Sequence, residues 1–288
     1  MVSTEKTLSM VIPKGRIQER VLELLAEAGY KLQFSERSYR PRCQLPLTEV
    51  KVMKAQNIPQ LIENNRHHCG FAGLDWVEEH QSDVEVLLPL GFNPVQIVAA
   101  IPEDSEWDQW RRRHLVVATE YVALTRRFLE KQGCSFTMLR SYGATEVFPP
   151  EDADLVVDNT ATGQTLKENH LKIVDTLMTS ETVFLAGKQA LADPDLGPRI
   201  HNLVLVFRSI LEASKRVLLE MNCPIECLDT LVAALPAMKA PSVSRLFGQE
   251  GFAVKAAVPK RDVPALIPRL KQAGATDILE LAMRKVVP

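Results

Sequence analysis

Short apolar runs alternate with amphipathic stretches along the whole chain, a pattern that predicts strands and helices in turn. Residues 8–12 read as a strand, and Pro13-Lys14-Gly15-Arg16 as a tight turn into a helix. That helix carries Val21, Leu24, Leu25 and Ala28 on one face and stops at Gly29. Further strands are predicted at 50–53, 84–90, 97–101, 114–118, 136–139, 155–157 and 181–186. Thr165 and Glu168 stand at capping-box spacing, so a helix is predicted from Thr165 with Leu166, His170, Ile173, Val174 and Leu177 on its apolar face. Residues 203–219 read as a long helix. The remainder reads strand (217–223), helix (225–234), strand (243–247), strand (252–258), helix (263–273), strand (277–283), which is the split β-α-β-β-α-β order of ferredoxin-like domains.

The alternation predicts an α/β protein with two lobes joined near residues 100 and 186, and a cleft between lobes is the natural ligand site. The expected boundaries are 1–97 with 186–212 for lobe I, 98–185 for lobe II, and 213–288 for the ferredoxin-like domain.

Composition narrows the classes of function. The 288 residues carry a net charge of −2, so there is no overall basic field and nucleic acid is not an expected partner. The longest apolar stretch, at 203–207, is far too short to span a bilayer. Thr4, Glu5 and Lys6 precede only a short apolar run, so no secretion signal is expected. Five scattered cysteines suit reduced thiols, and a cytoplasmic location is expected. His67, His68 and Cys69 are adjacent, which favours packing roles over convergence on one metal ion.

The chemistry centres on residues 153–177. Leu155, Val156 and Val157 form a buried strand that ends in the carboxylate of Asp158. Thr160, Ala161, Thr162, Gly163 and Gln164 are small or polar, and a helix start follows, so backbone N–H groups face an anion. The Walker pattern is absent, and a lone Gly163 makes no dinucleotide fingerprint. Taken by itself the stretch is equally an ordinary strand–turn–helix with a Thr cap. Lys14 and Arg16 sit on another strand-to-helix turn, where open α/β sheets place ligands. Arg37, Arg40 and Lys54 add local cations.

Together these segments resemble the long form of ATP phosphoribosyltransferase, and the resemblance covers nearly the whole chain. It rests on P-K-G-R at 13–16, R-S-Y-R-P at 37–41, G-x-x-G-x-D at 70–75, L-G-F at 90–92 and L-T-R-R at 124–127. It continues with G-A-T-E at 143–146, D-x-x-x-T-G-x-T-L at 158–166, M-K-A-P-S-V-S at 238–244, V-P-K-R-D at 258–262 and G-A-T-D-I-L at 274–279. The acidic strand end followed by T-G-x-T resembles loops that hold the ribose and 5-phosphate of phosphoribosyl pyrophosphate.

The resemblance implies a two-lobed core like a type II periplasmic binding protein, with a C-terminal ferredoxin-like (ACT-type) regulatory domain. It implies Mg²⁺-dependent transfer of a phosphoribosyl group to a ring nitrogen of ATP, inhibition by histidine, and a homo-oligomer, dimer or hexamer. It places phosphoribosyl pyrophosphate on Asp158, Thr160, Ala161, Thr162, Gly163, Gln164 and Thr165. ATP falls to Lys14, Gly15, Arg16, Arg37, Asp75 and Gly91. Lys14, Lys54, Glu146 and Asp158 carry the chemistry, with Glu146 also a metal ligand. The effector falls to Asn222, Ser242, Ala257 and Asp277. The chain departs from the family pattern at Lys54, Asn57, His68, Ala72, Asn93 and Glu151. Those departures motivate an alternative, a non-catalytic two-lobed ligand sensor with an amino-acid-binding tail.

Overall fold

Eight strands form one mixed sheet in the N-terminal part of the computed structural model, which describes residues 6–35 and 38–287. β1 (Leu8–Lys14) lies parallel between β4 (Thr48–Lys54) and β5 (Cys69–Gly73). A two-residue pair, β2 (Leu32–Gln33) with β3 (Arg42–Cys43), precedes β4. β5 is buried along its whole length, as a strand covered on both faces must be. Next come β10 (Leu171–Gly187), β6 (Val84–Pro102), β9 (Leu155–Thr160), β7 (His114–Thr119) and β8 (Ser135–Arg140), in that spatial order. β10 runs antiparallel to β5 and β6, and β6 antiparallel to β9, whereas β7 is parallel to both its neighbours.

β6 and β10 are single strands of 19 and 17 residues that serve both lobes. β10 pairs with β5 only from Thr182 to Ala186, and β6 pairs with β9 only from Gln96 to Ala100. Between those stretches the β6–β10 register shifts at Ser180, Thr182 and Val183. There β6 also carries Gly91 at φ 70 and Asn93 at φ 49. The strands expected at 84–90 and 97–101 are therefore one element with a kinked middle. Along its second half the two-residue period is clean. Ile97, Ala99 and Ile101 join one core with Leu115, Val117 and Val157, while Val98 and Ala100 join another with Val156, Leu166 and Leu171. A separate core of Val11, Ile58, Ile62, Val77, Val183 and Leu185 supports the first lobe.

The helices are α1 (Gln18–Glu27), α2 (Ile58–Glu63), α3 (Leu74–His80), α4 (Trp107–Trp110), α5 (Val122–Lys131), α6 (Gln164–Glu168), α7 (Lys188–Ala192) and α8 (Leu196–Ser214). The helix expected from Thr165 is the main correction. α6 has five residues, and its N-cap is Gly163 rather than a Thr, so the cap residue itself supplies no side-chain hydrogen bond. His170 at φ 54 ends it, and Ile173, Val174 and Leu177 lie on β10. The β-branched residues of this stretch favour a pleated strand, and pairing with β6 along nearly the whole of β10 outweighs a chance helical spacing. The helix expected at 203–219 starts earlier and stops at Ser214, because β11 (Arg216–Cys223) claims the rest.

The chain parts into two compact units between His201 and Asn202. In the second, β11, α9 (Leu228–Ala234), β12 (Ser242–Arg245), β13 (Phe252–Pro259), α10 (Val263–Gln272) and β14 (Thr276–Ala282) follow the expected ferredoxin-like order. The sheet order is β12-β13-β11-β14 with every neighbour antiparallel. Val217, Leu219 and Met221 of β11 face Leu231, Leu266 and Leu270 of the two helices, so Leu218, Glu220 and Asn222 lie on the open face. Among the described residues no helix is long and apolar enough to cross a membrane.

Candidate active site

The carboxyl ends of β1, β4, β5, β7 and β9 converge, and their last residues and following turns line two adjoining cavities. The first, about 470 Å³, is lined by Asp158, Thr160, Ala161, Thr162, Thr165 and Glu146. The second, about 440 Å³, is lined by Lys14, Gly15, Arg16, Lys54, Asp75 and Tyr121. Arg16, Glu120 and Asn159 line both.

In the first cavity the loop after β9 is shaped by its own hydroxyls. Thr160 Oγ1 accepts from Gly163 N–H at 2.8 Å, and Thr162 Oγ1 from Gln164 N–H at 3.4 Å. Gly163 has φ 76, a left-handed conformation that glycine takes without penalty. Gly163 sets the turn without lining the cavity, and Gln164 turns aside to donate to Glu168 Oε1 at 2.7 Å. The segment expected to face an anion from a helix N-terminus is thus a loop of amides and hydroxyls ahead of a single short turn.

Asp158 is half-buried, and burial pushes its carboxyl from the ordinary 3.8 up to about 6. Asn159 N–H, 2.7 Å from Oδ1, and a hydrogen bond from Thr145 favour the ionised form, while the charges of Glu120 and Glu146 oppose it. Glu146 stands in a short turn that follows Ala144, itself at φ 48.

The second cavity gathers cations. Lys14 and Lys54 end the paired strands β1 and β4 in register, and Lys14 Nζ donates to Tyr39 Oη at 3.1 Å. Arg16 follows Gly15, which has φ 97. Arg37 lies outside the described residues. Asp75 opens α3 and is 5% exposed. Its Oδ1 accepts from Ser180 Oγ at 2.6 Å and its Oδ2 from Tyr121 O–H at 2.8 Å. A Cβ on Gly73 would stand 2.1 Å from Asp75 Oδ1, so only glycine lets the carboxylate fold back over the strand end. Gly91 lines a neighbouring cavity with Val95, Ala161 and Ser180, and its N–H donates to Glu181 Oε2.

Several residues of the site escaped sequence reasoning. Tyr121 accepts from Asn159 Nδ2 at 3.2 Å and stacks on Trp76 with centroids 4.7 Å apart. Glu79 Oε1 and Oε2 accept from Ala123 and Leu124 N–H, at 2.8 and 2.9 Å, and so cap α5 from the other lobe. The rule that singled out Lys14 and Arg16, a turn after a strand end, applies equally to Thr119-Glu120-Tyr121 after β7.

The departures from the family pattern mostly lie outside the cavities. Asn57 is the N-cap of α2, Ala72 is in a core, and Glu151 is exposed. His68 Nδ1 accepts from Ser9 N–H at 2.9 Å, and His67 Nδ1 pairs with Ser9 Oγ at 2.7 Å. Lys54 and Asn93 do line the cleft. Asn93 tolerates the positive φ that a glycine would take freely.

In the second unit the four residues expected to meet an effector, Asn222, Ser242, Ala257 and Asp277, share the open sheet face. Asn222 Nδ2 donates to Asp277 Oδ2 at 3.0 Å beside a register irregularity between β11 and β14. Ser242 stands opposite Lys255, whose ion pair with Glu220, at 2.9 Å, separates it from that contact. Ala257, opposite Leu218, lies farther along the face.

The family model for HisG, ATP phosphoribosyltransferase, matches residues 54–209, and that for the HisG C-terminal domain matches residues 213–285. The ATP phosphoribosyltransferase of Pelotomaculum thermopropionicum is 38% identical over 98% of this chain and 99% of its own. That of Chlorobium phaeovibrioides is 34% identical over the whole of both. A chain of the ATP phosphoribosyl transferase (HisG:HisZ) complex from Thermotoga maritima shares the fold, with a TM-score of 0.63 and 24% identity over 70% of this chain and 98% of that one. A catalytic-part match, a C-terminal-domain match and full-length relatives agree: the chain belongs to the ATP phosphoribosyltransferase family, in its long form.

Proposed function

We propose that the two adjoining cavities are the substrate sites of this enzyme, with phosphoribosyl pyrophosphate in the loop cavity and ATP in the cationic cleft. The family's reaction transfers the 5-phosphoribosyl group to ATP and releases pyrophosphate, in histidine biosynthesis. The supporting observation is the shared wall: two ligands held in these cavities would meet at Arg16, Glu120 and Asn159.

In this reading the amides of residues 161–165 and the Thr162 and Thr165 hydroxyls hold the ribose 5-phosphate, and ionised Asp158 accepts from the ribose hydroxyls. Lys14, Arg16 and Lys54 neutralise the two polyphosphates, a task the net charge of −2 leaves to local cations. The anomeric carbon gains positive charge as pyrophosphate departs, so most of the acceleration comes from orientation and fixed charge. Asp75, with both oxygens engaged, serves the ATP side by anchoring Tyr121 in its wall.

Mg²⁺, which the family assignment implies, fits the donor set. Asp158 and Glu146 offer hard oxygens beside the loop, and Mg²⁺ is commonly held by one or two carboxylates plus substrate phosphate oxygens. Among the described residues no larger ligand cluster occurs. When bound, the ion neutralises charge on the leaving pyrophosphate.

Histidine is the proposed inhibitor, on the open face around Asn222 and Asp277, in a homo-oligomer of two or six chains; light scattering with and without histidine tests both. Five unpaired cysteines accord with a reducing cytoplasm. For the cavities, Thr162→Val should raise KM for phosphoribosyl pyrophosphate and Lys54→Ala that for ATP. The reverse pattern, or no change in either, overturns the assignment.

A further inference from the structure

Three carboxylates line the cleft assigned to ATP: Asp75, Glu120 and Glu181. Ser180 and Tyr121 engage both oxygens of Asp75, and Gly91 N–H engages one oxygen, Oε2, of Glu181, which unlike Glu120 does not stand on the shared wall. No hydrogen bond or ion pair engages the Glu120 carboxylate among the described residues. It is half-buried, and it stands on the wall shared with the phosphoribosyl cavity. A free carboxylate beside a triphosphate site repels the ligand unless the ligand brings a donor to it. The base of ATP carries N–H donors in one place, the 6-amino group, and the ring nitrogen N1 is next to it.

We infer that Glu120 accepts a hydrogen bond from the adenine 6-amino group and thereby presents N1 to the anomeric carbon. The inference rests on the cavity assignment above and adds the residue that reads the base. The N1 lone pair forms the N1–C1′ bond while the C1′–O bond breaks, and pyrophosphate leaves with that electron pair. No proton has to depart for the bond to form. Positive charge then spreads over N1, C6 and the amino nitrogen, and a carboxylate on the amino side stabilises this more than it stabilises neutral adenine. Glu120 therefore contributes to base selectivity and to rate.

The test compares ATP with purine riboside 5′-triphosphate, which has hydrogen in place of the amino group. Wild-type enzyme should bind the desamino nucleotide about 10- to 100-fold more weakly by calorimetry, the range of a charge-assisted hydrogen bond. Glu120→Gln and Glu120→Ala should weaken ATP, while the desamino nucleotide, relieved of a repelling charge, binds at least as tightly as to the wild type. The KM for phosphoribosyl pyrophosphate should not rise, since the Glu120 charge only opposes the ionised form of Asp158. Glu120→Gln keeps an acceptor oxygen, so it should retain more ATP affinity than Glu120→Ala but a reduced kcat. Equal wild-type affinity for the two nucleotides overturns the inference, and this arm needs no variant to fold. So does a variant that raises KM for phosphoribosyl pyrophosphate while binding ATP normally, since Glu120 would then face the ribose. If Thr162→Val and Lys54→Ala behave as expected and the amino group still makes no difference, only the role of Glu120 fails. If those two variants fail, the cavity assignment itself falls, and the inference with it.

Discussion

Asp158→Asn should make the protein more stable and less active, and the size of the first effect follows from the site. Burial raises the Asp158 carboxyl from 3.8 to about 6. The folded state therefore holds the proton more tightly than the unfolded chain does. In sign, ionised Asp158 exacts no penalty below about pH 3.8, a growing one as pH rises, and the full one above about pH 6. Two units correspond to about 3 kcal/mol as a ceiling. Partial exposure, and the Asn159 and Thr145 hydrogen bonds that an amide accepts less strongly, reduce this to about 1–2 kcal/mol. For a unit of this size that is roughly 2–8 °C in Tm. Calorimetric scans of both proteins at pH 8 and pH 4 measure it. The variant should melt higher at pH 8 and lose its advantage by pH 4, while kcat/KM for phosphoribosyl pyrophosphate falls about 10-fold or more. His67 and His68 titrate alike in both proteins, so they cancel in the difference. A variant that is less stable at both pH values would refute the electrostatic reasoning, and one with unchanged kinetics would remove Asp158 from the site.

Gly163→Val should raise KM for phosphoribosyl pyrophosphate and reduce stability by about 1–2 kcal/mol, because a β-branched residue resists φ 76. Only Ile173 Cδ1, at 3.8 Å, faces the new Cβ, so a loss of binding with no loss of Tm would mean that the side chain blocks the phosphate directly. Glu79→Ala leaves two α5 amides unpaired and should lower Tm by an amount equivalent to about 1–3 kcal/mol, with Glu79→Gln intermediate; an unchanged melting curve would show that the cap is dispensable. Burial lowers the pKa of His67 and His68 below the usual 6.5, so the stability they contribute is present above that value and lost as pH falls through the lowered ones. His68→Gln, which keeps an acceptor for Ser9 N–H, should flatten the fall in Tm between pH 7 and pH 5, and an equally steep fall would exclude His68 as its source.

The ferredoxin-like unit was legible because turn residues bound its elements and its two central strands keep one clear period, as in the alternation of β11 and β13. The loop after β9 was legible for a similar reason: Asp158, Thr160, Thr162 and Gly163 are residue types that serve close approach to a ligand. What followed it was not. Leu166, Ile173, Val174 and Leu177 satisfy a helical spacing by chance, and the competing strand is specified by β6, some 80 residues earlier in the chain. Pairing between distant strands leaves no mark within either strand beyond β-branched content. Asp75 illustrates the same limit. Its acidic type and its place after a glycine-bounded strand could be read directly, but its partners Tyr121 and Ser180 are 46 and 105 residues away. Glu79 left no local sign at all, since it caps a helix that begins 43 residues later and looks like a surface position on α3.

Those long-range contacts bear on how the cleft works. Within the first unit, α3 belongs to one lobe and α5 to the other, and Asp75, Trp76 and Glu79 all reach across. Opening the lobes would break the Tyr121–Asp75 bond, the two amide bonds to Glu79 and the Trp76–Tyr121 stack together. At about 1.5–3 kcal/mol for each hydrogen bond to a carboxylate, the combined cost is of the order of 5 kcal/mol, which holds an open form well below one molecule in a thousand. A two-lobed sensor that admits its ligand by hinging would be held shut by such a brace. A transferase has the opposite requirement, because the nucleophile and the anomeric carbon must be held at a fixed separation. Glu120 and Tyr121 form the turn into the braced helix, and Asn159 links Tyr121 to the Asp158 loop. The brace therefore fixes the wall between the cavities, where the two substrates would react, and this favours catalysis over sensing for the two-lobed core.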